Sequence, residues 1–338
     1  MSWERVAGLE LTVDGYTVER LEADMLGGFH RVTALYALSG AGHTGTGEDI
    51  GLDHEDPQPA PADLDLAGRW TLGSFCEHLA SVEQWPEPPK WGELQRNWRN
   101  WAFESAALDL ALRQAGVTLA EAVGREPRPL TFVNSLGLGD PPDVDRVARR
   151  FARYPSIGFK LDADASWTDE IVGRLAELGC VRTVDFKGRY GFEVADLDAL
   201  EAMYHRVIAA FPDALFEDPH AELEALIPRE RLSFDGTILS AADIGDTRTI
   251  NVKPSRIGSL RKLFEVYEHC ERHGVAMYGG GMGELGIGRG QIELLASLFH
   301  PDGPNDVAPS PFNAPDPPDG LPASPLQPPP LSPGFHWG

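Results

Sequence analysis

Three short segments place a carboxylate where the chain turns back: Val184-Asp185-Phe186-Lys187, Phe216-Glu217-Asp218-Pro219 and Ser233-Phe234-Asp235-Gly236. In each, the acid follows a run of strand-forming residues. Gly158-Phe159-Lys160 and Ile250-Asn251-Val252-Lys253 put an ammonium at the same place. Lysine is scarce, occurring only at Lys90, Lys160, Lys187, Lys253 and Lys262, so finding most of them at strand ends beside acids is a pattern rather than scatter. Taken singly, each acid is an ordinary solvated strand end, and Asp235-Gly236 an ordinary turn dipeptide. As an ordered set they read as a metal site flanked by amine bases.

Such side chains meet only if the strands that carry them converge. After Arg128 the chain gives strand-like runs at 130–134, 157–161, 181–185, 214–217, 232–235, 250–253 and 275–278, with helix-like segments between most of them. One helix opens at Ser166-Trp167-Thr168-Asp169-Glu170, with a hydroxyl N-cap and acids in its first turn, and ends at Leu178-Gly179. Strand then helix, repeated, predicts a parallel sheet. An open doubly wound sheet gathers only side chains near its switch point, whereas a closed (β/α)8 barrel brings all its strand ends around one axis. Polar groups ending at least five consecutive strands therefore predict the barrel.

The chain before the barrel has another rhythm. Leu9 to Val13 and Val32 to Leu38 alternate apolar and polar residues, which predicts antiparallel strands and an α+β start. Gly40 to Gly47 is glycine-dense and reads as an exposed, turn-rich loop, and Asp53 to Leu66 as an acidic, proline-rich one. Asn100 to Gly116 has helical spacing with a glycine stop and is expected to close the first domain. From Pro309 to Gly338, Pro, Ser and Gly dominate, which predicts no regular element but a coil that returns toward the first domain or frays.

Composition narrows the class. The 338 residues exceed a typical single domain and fit a barrel plus a smaller companion. Hydrophobic content of 42% supports a full core. A net charge of −23 repels phosphate backbones and anionic lipid surfaces, which disfavours nucleic-acid and membrane partners. Cys76, Cys180 and Cys270 are odd in number and far apart, arguing against a disulfide framework. No run approaches the ~20 apolar residues of a membrane span, and the expected location is cytoplasmic.

The residues carry a resemblance to the enolase superfamily, and within it to the muconate-lactonizing-enzyme subgroup, which is mandelate racemase/muconate cycloisomerase-like. Lys160, Asp185, Glu217, Asp235 and Lys253 fall in the order of that family's second- to sixth-strand motifs. Asn251-Val252-Lys253-Pro254-Ser255-Arg256-Ile257-Gly258-Ser259-Leu260 resembles its sixth-strand signature, and Gly281-Met282-Gly283-Glu284-Leu285-Gly286-Ile287-Gly288 its later strand-end glutamate motif. The resemblance implies an α+β capping domain (1–125), a modified TIM-type barrel carrying the active site (126–308) and a segment returning to the cap (309–338). It implies Mg²⁺, with Mn²⁺ as an alternative, held by Asp185, Glu217 and Asp235, with Lys160 and Lys253 as base and acid on opposite sides. It also implies a homo-oligomer, and a role for the loop at Met25 to His30, including Phe29, in choosing substrate.

The implied chemistry is removal of a proton α to a carboxylate to give a metal-stabilised enediolate, followed by isomerisation, cycloisomerisation or syn-elimination, as in muconate cycloisomerase or o-succinylbenzoate synthase. A divalent ion on the carboxylate oxygens makes such a weakly acidic proton removable, and a lysine beside it is expected to have its neutral form favoured. The alternatives are an acid-sugar dehydratase and a silent protein binding metal and carboxylate. Two departures bear on the roles. The family's second-strand motif is Lys-x-Lys, but this chain reads Lys160-Leu161-Asp162. Either Lys160 is the first lysine and Asp162 replaces the usual base, or it is the second and the base is intact. Where the subgroup commonly has Asn, this chain has Lys187, which period-two geometry puts on the side of Asp185. Lys187 is thus a third catalytic candidate, and Asp162 and Glu284 are candidate substrate contacts.

Overall fold

The computed structural model describes residues 2–25, 30–51, 61, 63–191, 194 and 196–337. The first part is a cap. Strands β1 (Glu10–Val13), β2 (Gly15–Asp24), β3 (His30–Gly40), β4 (His43–Asp49) and β5 (Gly68–Thr71) are accompanied by helices α1 (Ser2–Ala7), α2 (Leu72–Ser81), α3 (Glu93–Ala115) and α4 (Leu119–Val123). β2, β3 and β4 form an antiparallel sheet, and β1 pairs antiparallel with β5. The 23-residue α3 ends where a helix should, at Gly116 in the left-handed conformation. It begins at Glu93, two turns before the expected Asn100.

The expectation of an exposed loop from Gly40 to Gly47 is overturned. Only Ala41 and Gly42 turn, both at positive φ (48° and 80°), as a two-residue hairpin requires, and His43–Asp49 is strand β4 with a mostly buried C-terminal half. Its glycines are packing devices. A Cβ on Gly45 would stand 2.2 Å from the backbone nitrogen of Leu110, and one on Gly47 2.1 Å from the carbonyl oxygen of Ala102. The strand lies directly on the α3 backbone, and only residues without side chains permit that approach. The expected exposed stretch 53–66 falls largely outside the described residues; its end, Leu66, is buried in the core.

The barrel follows as β6 (Val133–Gly137), α5 (Asp145–Arg153), β7 (Gly158–Asp162), α6 (Asp169–Leu178), β8 (Val181–Asp185), α7 (Leu197–Ala210), β9 (Leu215–Glu217), β10 (Leu232–Ser233), β11 (Thr249–Val252), α8 (Pro254–Ile257), α9 (Leu260–His273), β12 (Ala276–Gly279) and α10 (Ile287–Phe299). β6 to β10 are consecutive and parallel, and β11 pairs in parallel with β12. Single bridges complete the ring: Phe234 to Ile250 joins β10 to β11, Gly280 to Asp306 extends β12, and Phe132 to Asn305 returns to β6. Asn305 and Asp306 thus stand for an eighth strand. Short 3₁₀ turns, Glu224–Leu226 and Ala241–Asp243, replace helices after β9 and β10. Thr168 caps α6 and Gly179 ends it in the left-handed conformation.

The C-terminal segment is coil apart from one 3₁₀ turn, Ser310–Asn313. It returns: Leu326 bridges Leu130, Gly334 bridges Thr118, and buried Phe335 meets Trp101 of α3 edge to face. All three cysteines are free and buried. Among the described residues no helix is long and apolar enough to cross a membrane.

Candidate active site

Adjacent parallel strands in register put their last residues side by side. Asp162 is level with Asp185, and Asp185 with Glu217; Asp235 lies two residues beyond Ser233, the partner of Glu217. The three candidate metal acids therefore stand in a row at the ends of β8, β9 and β10, all fully buried. Asp218 fixes the last of them. Held at φ +46°, it accepts the backbone N–H groups of Asp235 (2.9 Å) and Gly236 (2.8 Å).

Lys160 starts one residue pair below this row and rises into it. Its ammonium, 1% exposed, bonds Glu217 and lies 3.2 Å from Asp185 Oδ2 and 3.9 Å from Asp306 Oδ2. Lys187 comes from above. Its backbone is left-handed (φ +53°), a costly conformation for a residue with a Cβ. There its N–H donates to Asp185 Oδ1 (3.0 Å), and its ammonium bonds the other oxygen and stands 3.1 Å from Asp162 Oδ1. Lys253 lies across the ring, four strand positions from β7, with Nζ 2.7 Å from Asp235 Oδ2. A Cβ on Gly280 would stand 2.6 Å from Lys253 Cε, so that glycine makes room for the amine.

The charges settle one another. Burial alone would lower the Lys160 pKa, but Glu217 and Asp185 outweigh it and hold the ammonium protonated; Asp185 does the same for Lys187. Asp185, against burial, is pushed well down by the two ammonium groups. Glu217 lies within hydrogen-bonding reach of Asp185 and is pushed up to about 8, by burial and by its acidic neighbours Asp185 and Asp235, despite Lys160. Asp185 is thus the more acidic of the two.

Above the row opens a pocket of about 420 Å³ lined by Lys160, Lys187, Tyr190, Lys253, Arg256 and Arg289, among others. Glu284 is not in its lining. It turns back onto its own loop, accepting the N–H of Met282 at 2.9 Å and lying 3.4 Å from Arg289, and it borders an adjoining cleft instead. Phe29 lies outside the described residues.

Several contributors escaped the sequence reading. Arg256 bonds Asp235 and donates to Tyr190 Oη at 3.3 Å; Tyr190 Oη donates to Asp235 Oδ2 at 3.1 Å. Tyr278 and Asn251 (3.0 Å) both donate to Glu217. Arg256 sits inside the sixth-strand signature, three residues after Lys253, and was legible there. Tyr190 comes from an irregular loop and Asp306 from a two-residue remnant of a strand, where no periodicity marks them.

The donor chemistry suits a hard divalent ion: carboxylates from three neighbouring strand ends, two of them in mutual contact, with more acid nearby at Asp162, Asp218 and Asp306 than the surrounding lysines and Arg256 balance. In the arrangement described, Asp185, Glu217 and Asp235 are each turned onto a protein cation, and among the described residues no three acids or other ligand side chains are grouped closely enough to hold an ion as they stand.

The family described as domain of unknown function (DUF8230) matches through its N-terminal domain at residues 4–122 and its C-terminal domain at 126–314. An o-succinylbenzoate synthase of Geobacillus stearothermophilus is 26% identical over 228 residues, 64% of this chain and 60% of the relative, so the match spans less than two thirds of that protein. A solved structure of an enolase-superfamily member from Enterococcus faecalis superposes with a TM-score of 0.63 at 20% identity, over 89% of this chain and 87% of that one. A dipeptide epimerase from Methylococcus capsulatus, solved with Mg and the dipeptide L-Arg-D-Lys, superposes with a TM-score of 0.65 at 20% identity, over 86% and 88%.

Proposed function

For a chain that belongs to the family described as domain of unknown function (DUF8230) and has the fold of the enolase superfamily, we propose an enzyme that removes a proton α to the carboxylate of a small organic acid and returns or relocates it. One observation carries this: amines on opposite walls of one pocket, Lys160 and Lys187 on the first and Lys253 on the second, above a row of buried carboxylates. An α-proton held between two such walls can leave toward one and be replaced from the other.

Asp185, Glu217 and Asp235 would hold Mg²⁺, as the relatives' structures and the excess of acid support. Bound there, the ion supplies a Lewis acid to the substrate carboxylate. With their charge taken up there, Asp185 and Glu217 would hold Lys160 and Lys187 less firmly in the ammonium form. Lys253, reached from the pocket, removes or delivers the proton at Nζ. Lys160 is enclosed by the acids and Lys187 faces the mouth, so Lys187 is the first wall's amine nearest substrate and Lys160 the charge that orders the acids beneath it. Asp162 orients Lys187. Arg256 and Arg289 add positive charge to a cavity of ordinary small-molecule size, which favours a substrate with a second anionic group, as the succinyl relatives' names suggest. In this reading residues 1–125 form the cap, 126–308 the catalytic barrel and 309–338 the returning strap.

The test is solvent-deuterium exchange at the α-carbon of succinylated acids with Mg²⁺, followed by NMR. Lys253→Ala should abolish exchange while retaining Mg²⁺ binding by calorimetry, and Glu217→Gln should abolish that binding. Exchange at the native rate in Lys253→Ala would overturn the assignment. Native Mg²⁺ binding without exchange into any acid would favour a second reading, a silent carboxylate-binding protein, for which the pairing of Asp185, Glu217 and Asp235 with protein cations is the supporting observation.

A further inference from the structure

The loop that presents Lys253 and Arg256 is not held by the barrel alone. α8 is a single turn of four residues, with Lys253 as its N-cap, Pro254 first in the helix and Gly258 ending it at φ +77°. So short a helix leaves most of its carbonyls without internal partners, and the buried loop must satisfy them elsewhere. The cap supplies them. Asn97 Nδ2 donates to the carbonyl of Arg256 (2.9 Å), Asn100 Nδ2 to that of Gly258 (2.6 Å), and Glu104 Oε2 accepts the N–H of Leu260 (2.6 Å), the first residue of α9.

Asn97, Asn100 and Glu104 are spaced three and four apart on α3, so they form one stripe on one helix face. They meet three alternate residues of the loop in order, each with the group of the required polarity: amides to carbonyls, and a carboxylate to an N–H at a helix start. The stripe is braced from within and behind. Asn100 Nδ2 also donates to Glu104 Oε1 at 2.8 Å, and Gln84 Nε2 donates to Asn100 Oδ1 at 3.1 Å. Contact is close enough to dictate a glycine: a Cβ on Gly258 would stand 2.5 Å from Asn97 Cα. At the loop's other end Lys253 and Arg256 both grip Asp235.

We propose that Asn97, Asn100 and Glu104 are positioning residues for Lys253 and Arg256, so that the cap helix sets where the barrel's second amine stands. The consequence for catalysis rests on the function proposed above; the clamp itself does not. A clamp of this kind acts on the geometry of proton transfer rather than on substrate affinity, because none of its three side chains lines the pocket.

The test uses the full chain with Asn100→Ala and Glu104→Gln, and reads two quantities. Reductive methylation of Lys253, followed by peptide mass spectrometry with Lys90 as internal control, reports the loop directly; it should quicken about fivefold or more as the buried amine is released. Deuterium exchange of a succinylated acid should show kcat down about tenfold with KM within about twofold. Should either variant fail to fold, Asn97→Ala removes one half-buried bond and gives the same readouts at smaller amplitude. Lys253 methylation at the native rate in folded variants overturns the clamp. Faster methylation in variants of a protein that exchanges no α-protons upholds the clamp and overturns the enzymatic reading instead.

Discussion

The two walls of the pocket fix their amines by different means. On the first wall everything is local. Lys160 and Asp162 share β7, Lys187 follows two residues after β8, and their partners are at neighbouring strand ends, with a left-handed residue at Lys187 making the reach. On the second wall Lys253 and Arg256 pair with Asp235, Arg256 also meets Tyr190, and the loop that carries them is gripped by a helix more than 150 residues away in sequence. A site can thus be rigid on one side through short-range charge pairing and on the other through long-range docking. The first wall should respond to changes in charge, the second to changes in cap packing.

The largest effect should fall on the first wall. Lys160→Met removes the ammonium that joins Asp185 to Glu217 and leaves Lys187 as the cation on Asp185, at a cost of about 3–5 kcal/mol in Mg²⁺-free buffer. Chemical denaturation should show this loss, and added Mg²⁺ should recover part of it. A loss below about 1 kcal/mol would mean that Lys160 does not order the acids.

Acid should loosen the second wall first. His300 is buried, with Nδ1 2.7 Å from Asn305 Oδ1, the oxygen that also receives the N–H of Gly279 (2.6 Å) in β12 beside β11. Burial lowers its pKa to about 4 from an ordinary 6.5, so the folded state favours the neutral ring. The sign follows: this contribution is complete above pH 6.5 and is lost as pH falls from there toward about 4, an effect on the order of 3 kcal/mol. His300→Gln should flatten the acid limb of the stability profile over that window. An unchanged limb would place the acid sensitivity elsewhere.

Gly258→Ala is the mildest of the three. It combines a Cβ at φ +77° with a clash against Asn97, and should cost about 1–3 kcal/mol by thermal denaturation. The comparison predicts a selective effect as well: Lys253 methylation should rise while that of Lys187 stays at its native rate. Equal changes in both would erase the distinction between the walls.

How much of this the sequence disclosed follows the same division. The first wall was legible because Lys160, Asp162 and Asp185 lie on strands in register, whereas Lys187, expected beside Asp185 from strand period, reaches it instead through a left-handed turn after the strand. The barrel was legible from repeated strand and helix rhythm, except at its eighth position, where Asn305 and Asp306 carry no pattern. The second wall was half legible: Lys253 and Arg256 lie in a recognisable motif, but nothing in the spacing of Asn97, Asn100 and Glu104 says what they face. β2 was overlooked because charges at Glu19, Arg20 and Glu22 interrupt its alternation on an exposed sheet. β4 was mistaken for a loop because glycines that admit a neighbouring backbone look, in sequence, like glycines that turn.

Those glycines of β4 have a mechanical consequence. Where Gly45 and Gly47 rest on α3, peptide touches peptide, and no rotamer lies between them to absorb a small shift. The opposite face of the same helix holds the loop of Lys253. The cap sheet, the helix and the amine are therefore coupled like a lever with no slack at its fulcrum. An extra methyl group on β4, two layers from any substrate, would be transmitted along it, so the reach of this active site into the chain extends to residues that carry no functional group at all.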